Sequence, residues 1–521
     1  VRYLASQSLE SYESDLLLQD FGKYYYPEGE VNMTRDTRVD APGVVQVVQD
    51  GEPLALEPDT ASWSFLTQRE GELLGALAGG RSIGWLLDNW PAQDNGSAPA
   101  FVANLFRRGL VRLNGQTSVD PNLFHDSPNY REGHLVELLL TEKCNLACEY
   151  CLAGANQSLP HMSEEVAFKA IDLAYGMQHP SITFEFSGGE PFLRFGLMRK
   201  LVEHIRDHPL RQGREVYVCL QTNGTLLDEE RVRWMADNRV IVGLSLDGNP
   251  ESHDLSRPQV NGKESFSKVL RGMRLMREAG LGFGILVVLN RSNIHSPGPL
   301  IDFMAEHGIN QFKLNPIAFL GTARSDWDKL ALGQEQILGY FQDLGRRLVA
   351  SGLDLYEANL MDMTRHLVSK QRQSRCLRGH CGAGDSFNAV AADGSIYPCG
   401  RATQSPGLKL GEVLKEPYAL DRPGRDNLHI QRIRERRPKT LEDCISCSYR
   451  ELCQGGCSVQ AFERHGTVQH KTPECAFNKA MYPFLMHWLS HDPKAVEYLN
   501  RSAYFCDPNQ LHIADRVFLA A

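Results

Sequence analysis

Leu135-Val136-Glu137-Leu138-Leu139-Leu140 leads into Cys144-Asn145-Leu146-Ala147-Cys148-Glu149-Tyr150-Cys151, and the reading of this stretch decides the fold. The apolar run has the length of a buried strand. Three cysteines spaced by three and then two residues converge on one side of the loop that follows. Such a loop holds three corners of an iron–sulfur cubane and leaves the fourth iron without a protein ligand, as a cluster needs if it is to bind a small molecule. A structural zinc loop is the competing reading. Zinc sites usually show two cysteine knuckles or a Cys/His set, and no His lies inside this loop.

Cys-x3-Cys-x-aromatic-Cys after a strand resembles the signature of the radical S-adenosylmethionine (radical SAM) superfamily. The resemblance implies a 4Fe–4S cluster on Cys144, Cys148 and Cys151, its free iron chelated by the amino and carboxylate groups of S-adenosylmethionine. Those three cysteines are then the catalytic as well as the metal-binding core of the site. It also implies a fold, a six-unit partial (β/α) barrel related to the TIM barrel.

Size and composition set the frame. The 521 residues exceed one ordinary domain, with 42% hydrophobic and 23% charged residues, as in globular proteins. Apolar stretches are strand-sized, short of the ~20 residues of a membrane helix. A net charge of −9 argues against general nucleic-acid binding. Thirteen cysteines bunched at short spacings, with no export signal at the front, point to cluster ligation in a reducing, cytoplasmic compartment.

In chain order, Val44–Val48 and Leu54–Leu56 read as strands around an Asp50-Gly51 turn. Three short helices follow at Thr67–Leu77, Ser82–Trp90 and Ala98–Arg108, then a strand at 110–113. This order resembles the winged-helix-like recognition element of enzymes that modify ribosomally synthesised peptides (RiPPs). There a leader peptide adds a strand to the small sheet. Residues 1–124 are assigned to this arm and unit, and 125–333 to the barrel.

Within the barrel, strands are expected at Leu135–Thr141, Ile182–Phe186, Glu215–Leu220, Val240–Leu246, Gly282–Leu289 and Gln311–Leu314. Helices lie between them, the first capped by Ser163. Six β/α repeats imply an α/β fold with a parallel sheet, whose chemistry sits at the carboxyl ends of the strands. Ser187-Gly188-Gly189-Glu190 follows the second strand and, by resemblance, binds the amino group of S-adenosylmethionine. Thr222 and Asn223 end the third strand and Ser245 and Asp247 the fourth, offering groups for ribose and carboxylate. Leu289 and Tyr150 are expected beside adenine.

After a helical connector (334–375) the cysteines return at 376, 381, 399, 444, 447, 453, 457 and 475, with an Asp393-Gly394 hairpin turn inside the series. The density indicates metal ligation, and spacing alone leaves iron and zinc both open. Cys381-x12-Gly394-x4-Cys399, the run from Cys444 to Cys457, and Cys475 resemble the SPASM extension of radical SAM enzymes. The resemblance implies two auxiliary 4Fe–4S clusters in residues 376–490, before a tail at 491–521. One cluster would take Cys376, Cys381, Cys399 and Cys457, the other Cys444, Cys447, Cys453 and Cys475. Cys219 is expected in the core and Cys506 has no assigned partner.

Together these resemblances imply a radical SAM/SPASM peptide maturase with three 4Fe–4S clusters. Its partners would be a precursor peptide and a flavodoxin or ferredoxin reductant, with neither nucleic acid nor membrane. The expected reaction is C–H abstraction and crosslink formation (C–C, thioether or ether). The alternatives are a formylglycine-forming sulfatase maturase, a peptide epimerase, a quinone-cofactor maturase and, outside catalysis, an iron–sulfur carrier. In the sulfatase-maturing family an Asp follows the cysteine matching Cys399, and here Gly400 stands in its place. Replacing Cys148 by Ala is expected to abolish S-adenosylmethionine cleavage, read as 5′-deoxyadenosine, while the auxiliary iron stays bound. Retained cleavage would contradict the assignment of the first cysteine loop.

Overall fold

The computed structural model describes residues 20–26, 29–90, 98–119, 133–177, 179–369, 376, 381–415 and 428–501. The described residues form eighteen strands, β1 to β18 in chain order. At the front lie β1 (Asp20–Tyr26), β2 (Gly29–Thr34), β3 (Arg38–Asp40), β4 (Val45–Gln49), β5 (Glu52–Glu57) and β6 (Ser62–Phe65). Helices α1 (Gln68–Leu77), α2 (Ile83–Asn89) and α3 (Ala98–Arg107) follow, with β7 (Arg81–Ser82) before α2 and β8 (Arg112–Leu113) after α3. These match the expected helices to within a residue or so. α1 starts in a capping box, Thr67 accepting from Glu70 N while the Glu70 carboxylate accepts from Thr67 N.

The front of the chain forms two small antiparallel sheets beside the β1–β2 hairpin: β7-β3-β8 and the meander β4-β5-β6. Alternation along the meander's central strand serves two cores. Leu54 and Leu56 join the large core of the molecule, with Trp63 of β6. Ala55 points the other way, into a separate core with Val39, Leu74 and Phe106. The meander therefore joins the front unit to the rest.

Six parallel strands build the centre: β9 (Gly133–Thr141), β10 (Ser181–Gly188), β11 (Glu215–Thr222), β12 (Ile241–Ser245), β13 (Phe283–Leu289) and β14 (Gln311–Pro316). The connecting helices include α4 (Glu164–Gly176), α5 (Phe195–Asp207), α6 (Glu229–Asp237), α7 (Phe266–Glu278) and α8 (Gly298–Glu306). Ser163 caps α4, accepting from Val166 N at 3.2 Å. Val136, Leu138, Phe184, Phe186, Leu220 and Leu244 face these helices and are at most 2% exposed. The intervening positions face the barrel lumen.

The sheet does not end with the sixth strand. In the connector, α9 (Gln334–Ser351) and α10 (Ala358–Ser369) flank a two-residue strand, β15 (Tyr356–Glu357), that extends the sheet beyond β14. On the other edge, β16 (Phe387–Val390) pairs in parallel with β9, and β17 (Ser395–Tyr397) and β18 (Gly411–Glu412) continue antiparallel. The start of the cysteine-rich region thus extends the barrel sheet, and Cys399, two residues after β17, is tied through β16 to the strand that feeds the first cysteine loop. The last two helices among the described residues are α11 (Cys475–His491) and α12 (Pro493–Arg501). No helix among the described residues is long and apolar enough to cross a membrane.

Trp63 is fully buried where the two cores meet. Its replacement by Ala is expected to lower the unfolding free energy by about 3–5 kcal/mol in chemical denaturation. A loss below about 1 kcal/mol would show that the meander does not carry the joint.

Candidate active site: three sets of thiols around a barrel lumen

The first cysteine loop hangs from the carboxyl end of β9 and is held by its backbone. Gly189 N donates to Thr141 O at 2.7 Å, and Glu190 N to Lys143 O at 3.0 Å. A Cβ at Gly188 would lie 2.1 Å from Thr141 O, and one at Gly189 2.1 Å from Lys143 O. Gly188 also has φ +117°, a conformation side chains resist. The paired glycines therefore let β10 press against the root of the loop. From further around the barrel, Ala147 N donates to Pro258 O at 2.8 Å and Thr322 N to Cys151 O at 3.0 Å.

Burial pushes the Cys144 thiol up to about 12 and the Cys148 thiol up to about 11, with neighbouring thiols of the loop adding to both. Thiols in such surroundings become good anionic ligands only when a cation compensates. Leu146 N donates to Cys144 Sγ at 3.4 Å, and Asn223 Nδ2 lies 3.7 Å from the same sulfur. Sulfur donors ringed by N–H groups suit an iron–sulfur cluster.

Several residues expected to touch S-adenosylmethionine are engaged with one another. Glu190 is fully buried. Its carboxylate accepts from Phe192 N at 3.1 Å, Thr222 Oγ1 at 2.8 Å and Asn223 N at 2.8 Å, tying the ends of β10 and β11. Burial pushes its carboxyl up to about 7 against those three donors. Three accepted bonds leave this carboxylate one further lone pair. Asp247, also fully buried, accepts from Arg257 at 3.0 and 3.2 Å, from Val288 N at 2.9 Å and from the Tyr150 hydroxyl. Burial pushes its carboxyl upward and Arg257 pulls it back. Arg257 also lies 5.4 Å over the Tyr150 ring and bonds the Cys148 thiol. Tyr150 and Asp247 thus anchor the loop. Ser245 accepts from Gln221 at 3.0 Å. Leu289, expected beside adenine, is fully buried in the large core, and the pleat of β13 turns Val288 to the other face.

Inside the lumen stands a feature that spacing did not reveal. Glu137 of β9 and Glu185 of β10 are paired in register. Ser187 Oγ donates to Glu137 Oε1 at 2.6 Å, and Gly400 N donates to the same carboxylate. A Cβ at Gly400 would lie 2.0 Å from Glu137 Oε2. The Glu137 carboxylate therefore fills the space a side chain at 400 would take. Burial raises both carboxyls, and Glu137 raises Glu185 further. Glu137 accepts from two donors, and among the described residues no donor to Glu185 offsets the burial of its carboxyl. The signal was available: a lone acid within the apolar run 135–140 is unusual. Cys219, expected in the core, is in register with Glu185 on this same lumen face and half-buried.

The remaining thiols gather in two sets. Cys376, Cys381, Cys399 and Cys457 are mutual electrostatic neighbours. Cys444, Cys447, Cys453 and Cys475 line one small pocket with Tyr449 and Arg450. Two arginines, Arg436 buried and Arg401 half-buried, serve these sets. Arg401 lies beside Cys457, Cys376 and Cys399. Arg436 donates to the carbonyls of Val468, Gly456, Gly455 and His470 at 2.6–2.9 Å and stands near Cys381, Cys457, Cys444 and Cys453, between the sets. Neither arginine was expected, since no local pattern marks them. Cys506 lies outside the described residues.

Residues 138–304 match the family model of the radical SAM superfamily. Over 348 residues the chain is 28% identical to a serine-type anaerobic sulfatase-maturating enzyme of Bacteroides thetaiotaomicron, covering 62% of this chain and 81% of that enzyme. Among solved structures, an anaerobic sulfatase-maturating enzyme with bound AdoMet (anSMEcpe) superposes with a TM-score of 0.60 at 22% identity, covering 71% of this chain and 99% of the other. SuiB of Streptococcus suis, solved with its precursor peptide SuiA, gives 0.51 at 14% identity, covering 84% and 99%. These two structures share the fold. With the cysteine loop and the family match, the chain is a radical SAM enzyme, an oxidoreductase.

Arg257→Leu is expected to cost about 3–5 kcal/mol of stability by leaving Asp247 buried and unpaired. The double variant Asp247→Asn/Arg257→Leu should recover much of that loss. Denaturant titration of the three proteins checks it; equal losses in single and double variants would deny the coupling.

Proposed function

We infer that this enzyme is a maturase that oxidises a side chain of a peptide or protein by two electrons, as the names of its sulfatase-maturating relatives describe for those proteins. Cys144, Cys148 and Cys151 hold a 4Fe–4S cluster; Cys376, Cys381, Cys399 and Cys457, and separately Cys444, Cys447, Cys453 and Cys475, hold two more. With S-adenosylmethionine bound, the first cluster supplies a 5′-deoxyadenosyl radical that removes one substrate hydrogen. The chain's own part is to aim the reacting carbon into the lumen, exclude water, accept the proton and hold the C-terminal clusters that would take the second electron.

One observation carries the choice of reaction: the carboxylate at Gly400. The absence of an acid after Cys399 had counted against a formylglycine-forming enzyme, but Glu137 fills that space from the neighbouring strand. It lies against Gly400, the residue after Cys399, and burial raises its carboxyl, which favours taking up a proton there. Relatives at 24–28% identity over some 60% of the chain favour the same reading over crosslink formation.

A second reading, crosslinking of a ribosomally made precursor, rests on the front unit. The β7-β3-β8 sheet with α1–α3 lies outside the family match, and the likeness to SuiB extends over more of the chain than that to anSMEcpe. Its role would be to receive a leader peptide along a sheet edge. A flavodoxin or ferredoxin is the proposed reductant.

The two are separated by treating the product peptide with a hydrazide: an aldehyde is labelled, whereas a crosslinked peptide stays unlabelled and resists fragmentation between the joined residues. Glu137→Gln is expected to lower product formation about 10²–10⁴-fold while 5′-deoxyadenosine still forms. Unchanged product yield would remove Glu137 from the reaction.

A further inference from the structure

At the far end of α11 from its thiol, a second kind of ligand set joins the front unit to the C-terminal region. The β4–β5 hairpin turns through Asp50 (φ +50°) and Gly51 (φ +89°), the left-handed pair of a tight hairpin. This turn presents Asp50 and Glu52 to His487 and His491, which lie one helical turn apart on α11. His491 Nε2 is 3.0 Å from Glu52 Oε2, and His487 Nδ1 is 3.8 Å from Asp50 Oδ2. The two imidazoles stack at 4.3 Å, and the Phe65 ring meets both edge-on at 5.5 and 5.0 Å, fixing their orientation. One ligand atom each from Glu52, His487 and His491 falls within 4.8 Å of the others.

The hydrogen-bonding pattern is what singles this cluster out. His491 Nδ1 lies 3.1 Å from the His487 carbonyl, which can only accept, so Nδ1 carries a hydrogen. In the neutral ring Nε2 is then a lone pair, and it faces a carboxylate at hydrogen-bond distance. Two acceptors in that arrangement repel unless a proton, as in a His–Glu ion pair, or a metal ion lies between them. A metal-bound histidine shows this geometry: one nitrogen donating to a backbone carbonyl, the other turned to the ion.

We propose that Glu52, His487 and His491, with Asp50 completing the shell, bind one divalent transition-metal ion, of which zinc is the best match to a His₂–carboxylate set. The ion pins the front unit to α11. That 17-residue helix starts at Cys475, carries Pro483 midway and ends at His491, so the ion and the Cys444 set sit about 25 Å apart on one helix. Asp59, which bonds Arg450 at 2.7 Å and Lys439 at 2.8 Å, fixes the other end of the meander to the same region. The site is independent of which reaction the enzyme performs.

The test uses the full chain with its clusters reconstituted, dialysed against zinc and passed through a desalting column. Zinc is counted by mass spectrometry and its shell read by X-ray absorption. Because Asp172, His204 and His208 form another His/carboxylate group on the outer helices, the readout is a difference. One equivalent of zinc should disappear in His487→Ala/His491→Ala, with iron content unchanged. The lost zinc should have nitrogen and oxygen neighbours at about 2.0–2.2 Å and no sulfur near 2.3 Å. Glu52→Gln, which keeps the rings, should weaken zinc at least tenfold. Equal zinc in wild type and double variant, or a sulfur-only shell, overturns the proposal. So does a front unit whose attachment responds to pH and not to zinc, since a proton would then bridge Glu52 and His491.

Discussion

A carboxylate sealed from solvent holds the active site together. Glu190 can stay buried only because three donors from two chain segments converge on it: Phe192 N on its own side, Thr222 Oγ1 and Asn223 N from the next strand. That requirement locks the ends of β10 and β11 to each other. Glu190 N in turn holds Lys143 O, and Asn223 reaches both Asn145 and the Cys144 sulfur. The cysteine loop is therefore placed by hydrogen bonds that would be costly to leave unmade, not by its own flexible backbone. Asp247 repeats the device two strands on, with Arg257 and Tyr150 as partners.

What could be read in the sequence was whatever is local. Cysteine spacing places thiols on one loop, and the Gly-Gly-Glu turn declares a close backbone approach. Apolar runs separated by amphipathic helices give the six-strand order, and all six strands lie within a few residues of the expected positions. The Asp393-Gly394 turn was legible for the same reason. Contacts between distant segments leave no such mark. That β16 pairs with β9, about 250 residues earlier, follows from the closing of the sheet. So does the meeting of Glu137 with Gly400, which altered the reading of the reaction. Glu190 and Asp247 are polar groups at strand ends, and their bonds to distant segments likewise left no mark in the sequence.

The extended sheet and one helix explain how the rest of the chain is kept in register with the barrel. β16 and β17 carry Cys399 to the lumen, and Arg436 braces the loops around both C-terminal thiol sets by filling their carbonyls. α11 runs from Cys475 to the histidines that meet the front meander. The front unit has its own small core, yet the alternation of β5 inserts Leu54 and Leu56 into the large one. Movement of the front unit would thus be felt along α11 at the second thiol set.

The central claim is that the eleven assigned thiols form three cluster sites, one of them open to S-adenosylmethionine. Mössbauer spectroscopy of the chain reconstituted with iron-57 tests it most directly. The account predicts about twelve irons per chain, four for each of three cubanes. It also predicts that adding S-adenosylmethionine changes the signal of a single iron in one cluster. About four irons with zinc on the C-terminal thiols, or no response to S-adenosylmethionine, would contradict it.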